Sequence, residues 1–171
     1  MGAECICRRG VFDLHVVGGG DDIHPTAASE IHPEAARGVL MPTFGTRSLR
    51  MLSECDERIQ IVLNDVIRIY DCSVICGYRN EDTQNELFRT GRSHVQWPDS
   101  KHNHHPSLAV DVVPYPIDWS DRERFNYFAG YVMGVASSHD VVLRWGGDWN
   151  RDWKVRDNTF DDLPHFELIE D

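Results

Sequence analysis

The sequence predicts an α+β domain in which a small sheet packs with two major helices. Three observations lead there. Apolar residues recur at helical spacing in two long stretches, and short apolar runs ended by glycine or proline stand apart from them. The third is that 41% hydrophobic residues in a chain of 171 suit one ordinary compact core better than two.

Residues 1–42 read as a loosely structured N-terminal arm. They hold the Gly18-Gly19-Gly20 run, prolines at 25, 33 and 42, and weak apolar periodicity between Pro25 and Leu40. The ordered domain is expected over 43–171. From Arg47 to Tyr70 the positions Leu49, Leu52, Ile59, Ile61, Val62, Val66 and Ile67 recur at helical spacing. Cys72–Cys76 is a short buried strand that stops at Gly77, and Glu81–Arg89 a polar helix closing at Gly91. In the strand Leu108–Val113, Ala109, Asp111 and Val113 face one way and Leu108, Val110 and Val112 the other, until Pro114 and Pro116 end it. A helix over Arg122–Ser138 carries Phe125, Phe128, Tyr131, Val132 and Val135. Strands at Val141–Trp145 and His165–Ile169 flank a loop rich in Trp, Asp and Gly.

Composition removes several function classes. A net charge of −11 has the wrong sign for a generic nucleic-acid binder, which gains affinity by displacing counterions from phosphates. No apolar run reaches the roughly 18 residues of a membrane span, and the first residues lack the pattern of a Sec signal peptide. Five cysteines without a C-x-x-C pair read as reduced thiols, which fits synthesis in a cytosol.

Chemistry concentrates at two places. An aspartate inside the apolar run AVDVV, Asp111, is costly to bury unless it is paired or bound to a metal. Backbone amides or an arginine could satisfy it, but His102, His104 and His105 lie just upstream, and imidazole with carboxylate suits Zn²⁺. Near the other end, DDLPHFEL sets His165 at the start of the last strand with Asp162 three residues before it. Two histidines and one aspartate make a three-ligand zinc site with a place for water, and Asp162 is then a carboxylate able to take that water's proton.

The segments SKHNHHPSLAVDVVPYP and FDDLPHFEL, with GYRNEDTQNELFRTGRS as a third block, resemble the zinc LD- and DD-peptidases of bacterial cell-wall peptides (peptidase M15-like). The resemblance runs from about Phe44 to Leu168. It implies a small, mostly antiparallel sheet packed with helices and a zinc site in the cleft, as in the hedgehog/DD-peptidase fold. It also implies that His102, Asp111 and His165 hold Zn²⁺, that Asp162 is the catalytic acid/base and that Arg79 faces the scissile carbonyl or a substrate carboxylate. The family's commoner spacing leaves six residues between His and Asp; here eight separate His102 from Asp111, and His104 sits at the conventional distance. His102 is preferred because Ser100-Lys101-His102 keeps the local Ser-x-His pattern, with His104 and His105 as rivals.

Other residues keep two readings. Arg79 follows a strand and a glycine, a rim position where pairing with Glu81 or Asp82 competes with stabilising a developing oxyanion. Gln84 either positions that corner or belongs to a polar helix surface. Glu167, on the strand face of His165, either orients an imidazole N–H or forms a salt bridge. Arg89, Arg92, Lys101 and the histidines make Arg89–His105 locally basic, suited to the free carboxylates of stem peptides. Trp97, Trp145, Trp149 and Trp153 either wall the cleft or pin long connections. Asp148, Asn150 and Asp152 alternate like the opening of a calcium loop, but Trp153 stands where an EF-hand needs glycine.

The resemblance thus implies a monomeric zinc peptidase of peptidoglycan stem peptides, an L-alanyl-D-glutamate endopeptidase of the phage or prophage endolysin type. Short length, no visible export signal and an aspartate as acid/base favour it. A D-alanyl-D-alanine carboxypeptidase is the alternative enzyme, and a non-catalytic wall-binding or signalling module the alternative class. The expected setting is synthesis in the cytoplasm and action at the cell wall, after holin-type release or delivery with a phage particle.

Overall fold

The computed structural model describes residues 41–169, so nearly all of the expected arm, with Cys5 and Cys7, lies outside the described residues. Along the chain run α1 (Thr46–Leu52), α2 (Glu57–Val66), β1 (Cys72–Cys76), α3 (Glu81–Arg89), β2 (Ala109–Pro114), α4 (Arg122–Ser138), β3 (Leu143–Trp145) and β4 (His165–Leu168). A single 3₁₀ turn, Lys101–Asn103, precedes β2.

The helical pattern over 47–70 is two helices, not one. Asp56 caps α2 by accepting the Arg58 N–H at 3.0 Å, which starts a new helix instead of continuing the old. Residues just before it are tied to the approach to β2: Ser107 N–H donates to the Glu54 carbonyl at 2.9 Å and Asp56 N–H to the Ser107 carbonyl at 2.8 Å. Leu49 and Ile61, counted on the apolar face, are exposed. The buried stripe of α2 is Ile59, Val62, Leu63 and Val66, and it packs on α4. That helix, capped by Asp121, buries Phe125, Phe128, Ala129, Val132 and Ala136 at the same spacing. Full burial of side chains of this size stabilises by roughly 1.5–3 kcal/mol each.

The sheet is antiparallel throughout, in the order β1-β2-β4-β3. One face is core: Val74 opposite Val112, Val110 opposite Phe166, and Leu143 opposite Leu168. The other face carries the polar residues, and register lines them up. Asp111 pairs with His165, and Glu167 lies between Ala109 of β2 and Arg144 of β3. A bulge between Val74 and Cys76 sets Cys76, not Ile75, opposite Asp111. Cross-strand partners share a face, so three strands deliver Cys76, Asp111 and His165 to one row. At Gly77, which ends β1, a Cβ would stand 2.2 Å from the Met51 carbonyl oxygen, so only glycine lets α1 pack this closely.

Candidate metal centre and cleft

Three atoms converge where β2, β4 and the 3₁₀ turn meet. His102 Nε2 is 3.2 Å from Asp111 Oδ1 and 3.2 Å from His165 Nδ1, and His165 Nδ1 is 3.1 Å from Asp111 Oδ1. The opposite ring nitrogens fix the tautomers. His102 Nδ1 lies 2.6 Å from the Gly77 carbonyl, which can only accept, so that nitrogen carries the proton. His165 Nε2 likewise donates to Glu167 Oε2 at 2.9 Å. With both imidazoles neutral, three lone pairs point at one another with no hydrogen between them. Such an arrangement calls for a cation. Ligands about 2.0–2.1 Å from a tetrahedral ion stand about 3.3 Å apart, close to these separations, and two imidazoles with one carboxylate suit zinc.

Without a metal, protons take that place. Burial opposes the charged form of His102, but the adjacent Asp111 carboxylate outweighs it and holds the pKa up at about 10. His165 is shifted upward in the same sense, against its burial, by hydrogen bonds to Asp111 and Glu167. Asp111 is held well below the usual carboxylate range, because His102, His165 and Arg79 together overcome its burial.

The Ser-x-His pattern has a structural cause. Ser100 caps the 3₁₀ turn by accepting the His102 N–H at 3.3 Å, and Asn103 Oδ1 accepts the Ser100 N–H at 3.1 Å in return. Asn103 Nδ2 donates to the Arg79 carbonyl at 3.0 Å, while Arg79 N–H donates to that of His102 at 2.8 Å. His102 is thereby driven into the interior, 1% exposed, whereas His104 and His105 are exposed and His105 packs on Tyr78. The two additional residues form a surface loop.

Around the triangle stands a second tier. Glu167 uses Oε2 for His165 and Oε1 for Arg144, whose Nε donates at 2.9 Å along with a terminal nitrogen. Arg144 in turn lies over the Trp149 ring at 5.4 Å, and Trp149 packs 5.5 Å from His165. Arg79 is not a rim residue paired with Glu81 or Asp82. It is drawn inward to Asp111 Oδ2, and its Nε donates to Cys76 Sγ at 3.1 Å. Cys76 escaped sequence reasoning as a site residue: its sulfur lies within 4.8 Å of ligand atoms of His102 and Asp111. It faces the protonated side of His102, 4.0 Å from Nδ1, outside the lone-pair triangle. Cys55 and Cys72 are buried free thiols, and burial pushes each pKa up to about 12.

Asp162 lines the same cleft, which encloses about 970 Å³. Its pKa is raised, first by burial and then by the charge of Asp111. Its carboxylate has no hydrogen bond among the described residues, unlike Asp161, which is tied to Arg122 at 2.7 Å. The backbone placing Asp162 depends on Gly146, where a Cβ would meet the Asp162 carbonyl oxygen at 2.3 Å. Gln84, fully buried, is a clamp and not part of a polar surface: its Nε2 donates to Ser93 Oγ at 2.9 Å and to the Val95 carbonyl at 2.7 Å. The tryptophans divide. Trp149 walls the cleft, Trp145 pins Leu163 through its indole N–H at 2.8 Å, and Trp153 is exposed. In the loop at 148–154, the side-chain oxygens of Asp148, Asn150 and Asp152 accept nearby backbone N–H groups, and Asp152 pairs with Lys154. They act as turn-forming acceptors.

Comparisons with known proteins give the family. The family model described as phage L-alanyl-D-glutamate peptidase matches residues 41–169. The L-alanyl-D-glutamate peptidase of Escherichia phage T5 is 28% identical over 135 residues, 74% of this chain and 97% of that protein. The crystal structure of the Serratia marcescens L-Ala D-Glu endopeptidase ChiX superposes with a TM-score of 0.57 at 26% identity, covering 77% of this chain and 94% of that one. A family match over three-quarters of the sequence, on a fold whose cleft gathers two histidines and an aspartate, leads to one conclusion: the chain belongs to the phage L-alanyl-D-glutamate peptidase family.

Proposed function

We propose that this chain is a zinc-dependent endopeptidase that hydrolyses the bond between L-alanine and D-glutamate in peptidoglycan stem peptides. The observation that carries the reading is the triangle of lone pairs on His102, Asp111 and His165, with sides of 3.1–3.2 Å. These residues would hold the zinc. When bound, the ion lowers the pKa of a water molecule and polarises a carbonyl.

The chain's own residues do the rest. Asp162, whose carboxylate has no hydrogen bond among the described residues and whose pKa is raised, accepts a proton from the attacking water. The hydroxyl adds to the alanyl carbonyl carbon, and Asp162 returns the proton to the departing glutamyl nitrogen as the C–N bond breaks. Arg79 keeps Asp111 ionised and brings a positive charge to the cleft, where negative charge builds on the carbonyl oxygen. Glu167, anchored by Arg144, holds the His165 tautomer that leaves Nδ1 open. The reading includes its setting: synthesis in the cytoplasm and action at the bacterial wall, reached after holin-type release or with a phage particle. The phage relative supports that setting.

Mass spectrometry of purified peptidoglycan after digestion tests the bond. The expected products carry a new amino terminus on D-glutamate. Release of terminal D-alanine instead would favour a carboxypeptidase.

A further inference from the structure

Three arginines line the cleft, and two are committed: Arg79 to Asp111, Arg144 to Glu167. Arg92 differs. Its backbone N–H donates to the Leu87 carbonyl at 2.8 Å, just past Gly91, whose φ of +71° lets the chain turn off the end of α3. The next residue, Ser93, is held by the buried Gln84. Arg92 therefore stands on a fixed base. Its Nε donates to Thr90 Oγ1 at 3.2 Å, and that hydroxyl is itself anchored on the Glu86 carbonyl at 2.8 Å. The carboxylate of Glu86 is occupied by Arg89 through bonds of 2.8–3.0 Å. Neither terminal nitrogen of Arg92 has a partner among the described residues. A guanidinium fixed at Nε with its terminal nitrogens open is a fork for a carboxylate. The same cleft is lined by the mutually packed rings of His94, Phe160 and Trp149.

The geometry points to Arg92 as the specificity-determining residue that binds the free carboxylate of the substrate's glutamyl residue. This rests on the peptidase reading above. A glutamyl residue inside a peptide uses one carboxyl for the chain and keeps the other as an anion. In a protein of net charge −11, an uncommitted arginine in the cleft separates substrates that keep this anion from those in which it is blocked.

The test uses two synthetic peptides, an acetyl-L-alanyl-D-glutamyl peptide whose only free carboxylate is the glutamyl one, and the same peptide with that group as a carboxamide. The zinc-loaded wild type is expected to prefer the carboxylate by about 10- to 100-fold in kcat/KM, the scale of one charge-assisted pair. Arg92→Gln is expected to lose that preference, chiefly through KM, while cutting the carboxamide as well as the wild type does. Arg92→Lys should recover part of the preference. Unchanged zinc content and circular dichroism exclude misfolding. An Arg92→Gln enzyme that keeps the wild-type preference overturns the assignment and leaves the peptidase reading intact. A wild type that cuts neither peptide overturns both.

Discussion

Glu167→Gln isolates the link between the buried carboxylate and the metal centre. The carboxylate accepts from His165 Nε2 at 2.9 Å on one oxygen and from Arg144 Nε at 2.9 Å on the other. Glutamine has nearly the same volume but one acceptor oxygen and one NH₂ group. If the oxygen stays with Arg144, the NH₂ faces His165 and favours a proton on Nδ1, the atom that must present a lone pair. If the oxygen turns to His165, Arg144 loses its acceptor and the pair collapses. Either way one charge-assisted hydrogen bond goes, worth roughly 1.5–3 kcal/mol. Set against metal binding, this is a loss of about 10- to 100-fold in zinc affinity, the usual scale for a partner that orients a ligand. Competition against a chromophoric chelator measures it, with circular dichroism to verify the fold. Zinc affinity equal to wild type would refute the claim that Glu167 holds the His165 tautomer.

Three further outcomes are expected. His102→Ala should abolish zinc binding in the same titration while His104→Ala keeps it, since only His102 is buried in the triangle; the reverse would transfer the role to the exposed loop. Asp162→Asn should retain zinc and lose about 10²–10⁴-fold in kcat, the scale of general acid–base catalysis, and near-wild-type turnover would remove Asp162 from the mechanism. In metal-free protein the His102 pKa of about 10 stands above its ordinary 6.5. The protonated form therefore stabilises the fold fully below about pH 6.5, and that contribution is lost as pH rises through about 10. The Tm of metal-free protein should fall across this window, while zinc, which replaces the proton, binds more tightly there; a flat Tm would contradict it.

What the sequence disclosed follows from how local each feature is. Helix α4, polar helix α3 and strand β1 lie where their own periodicity and stop signals set them, Gly91 and Gly77 included. The single helix expected over 47–70 failed because the break depends on Asp56 acting as a cap and on a distant partner, Ser107. Strand β3 starts at Leu143, later than the apolar run beginning at Val141, because its extent is set by pairing with β4. The site divides the same way. His102, Asp111 and His165 stood out as polar residues beside or inside apolar segments. Cys76 was hidden because a bulge chooses which residue of β1 faces Asp111, and a bulge has no signature in CSVIC. Arg144 reaches Glu167 across a strand pair joined by a long loop, so register alone brings them together. The inward turn of Arg79 required knowing that Asp111 has a second oxygen to satisfy.

The central claim is that His102 Nε2, Asp111 Oδ1 and His165 Nδ1 form one zinc site. Anomalous diffraction at the zinc absorption edge, from crystals of the zinc-loaded chain, tests it most directly. The expected result is one peak, about 2.0–2.2 Å from all three atoms. A peak on Cys76 or His104 in its place, or none at the triangle, would contradict the account.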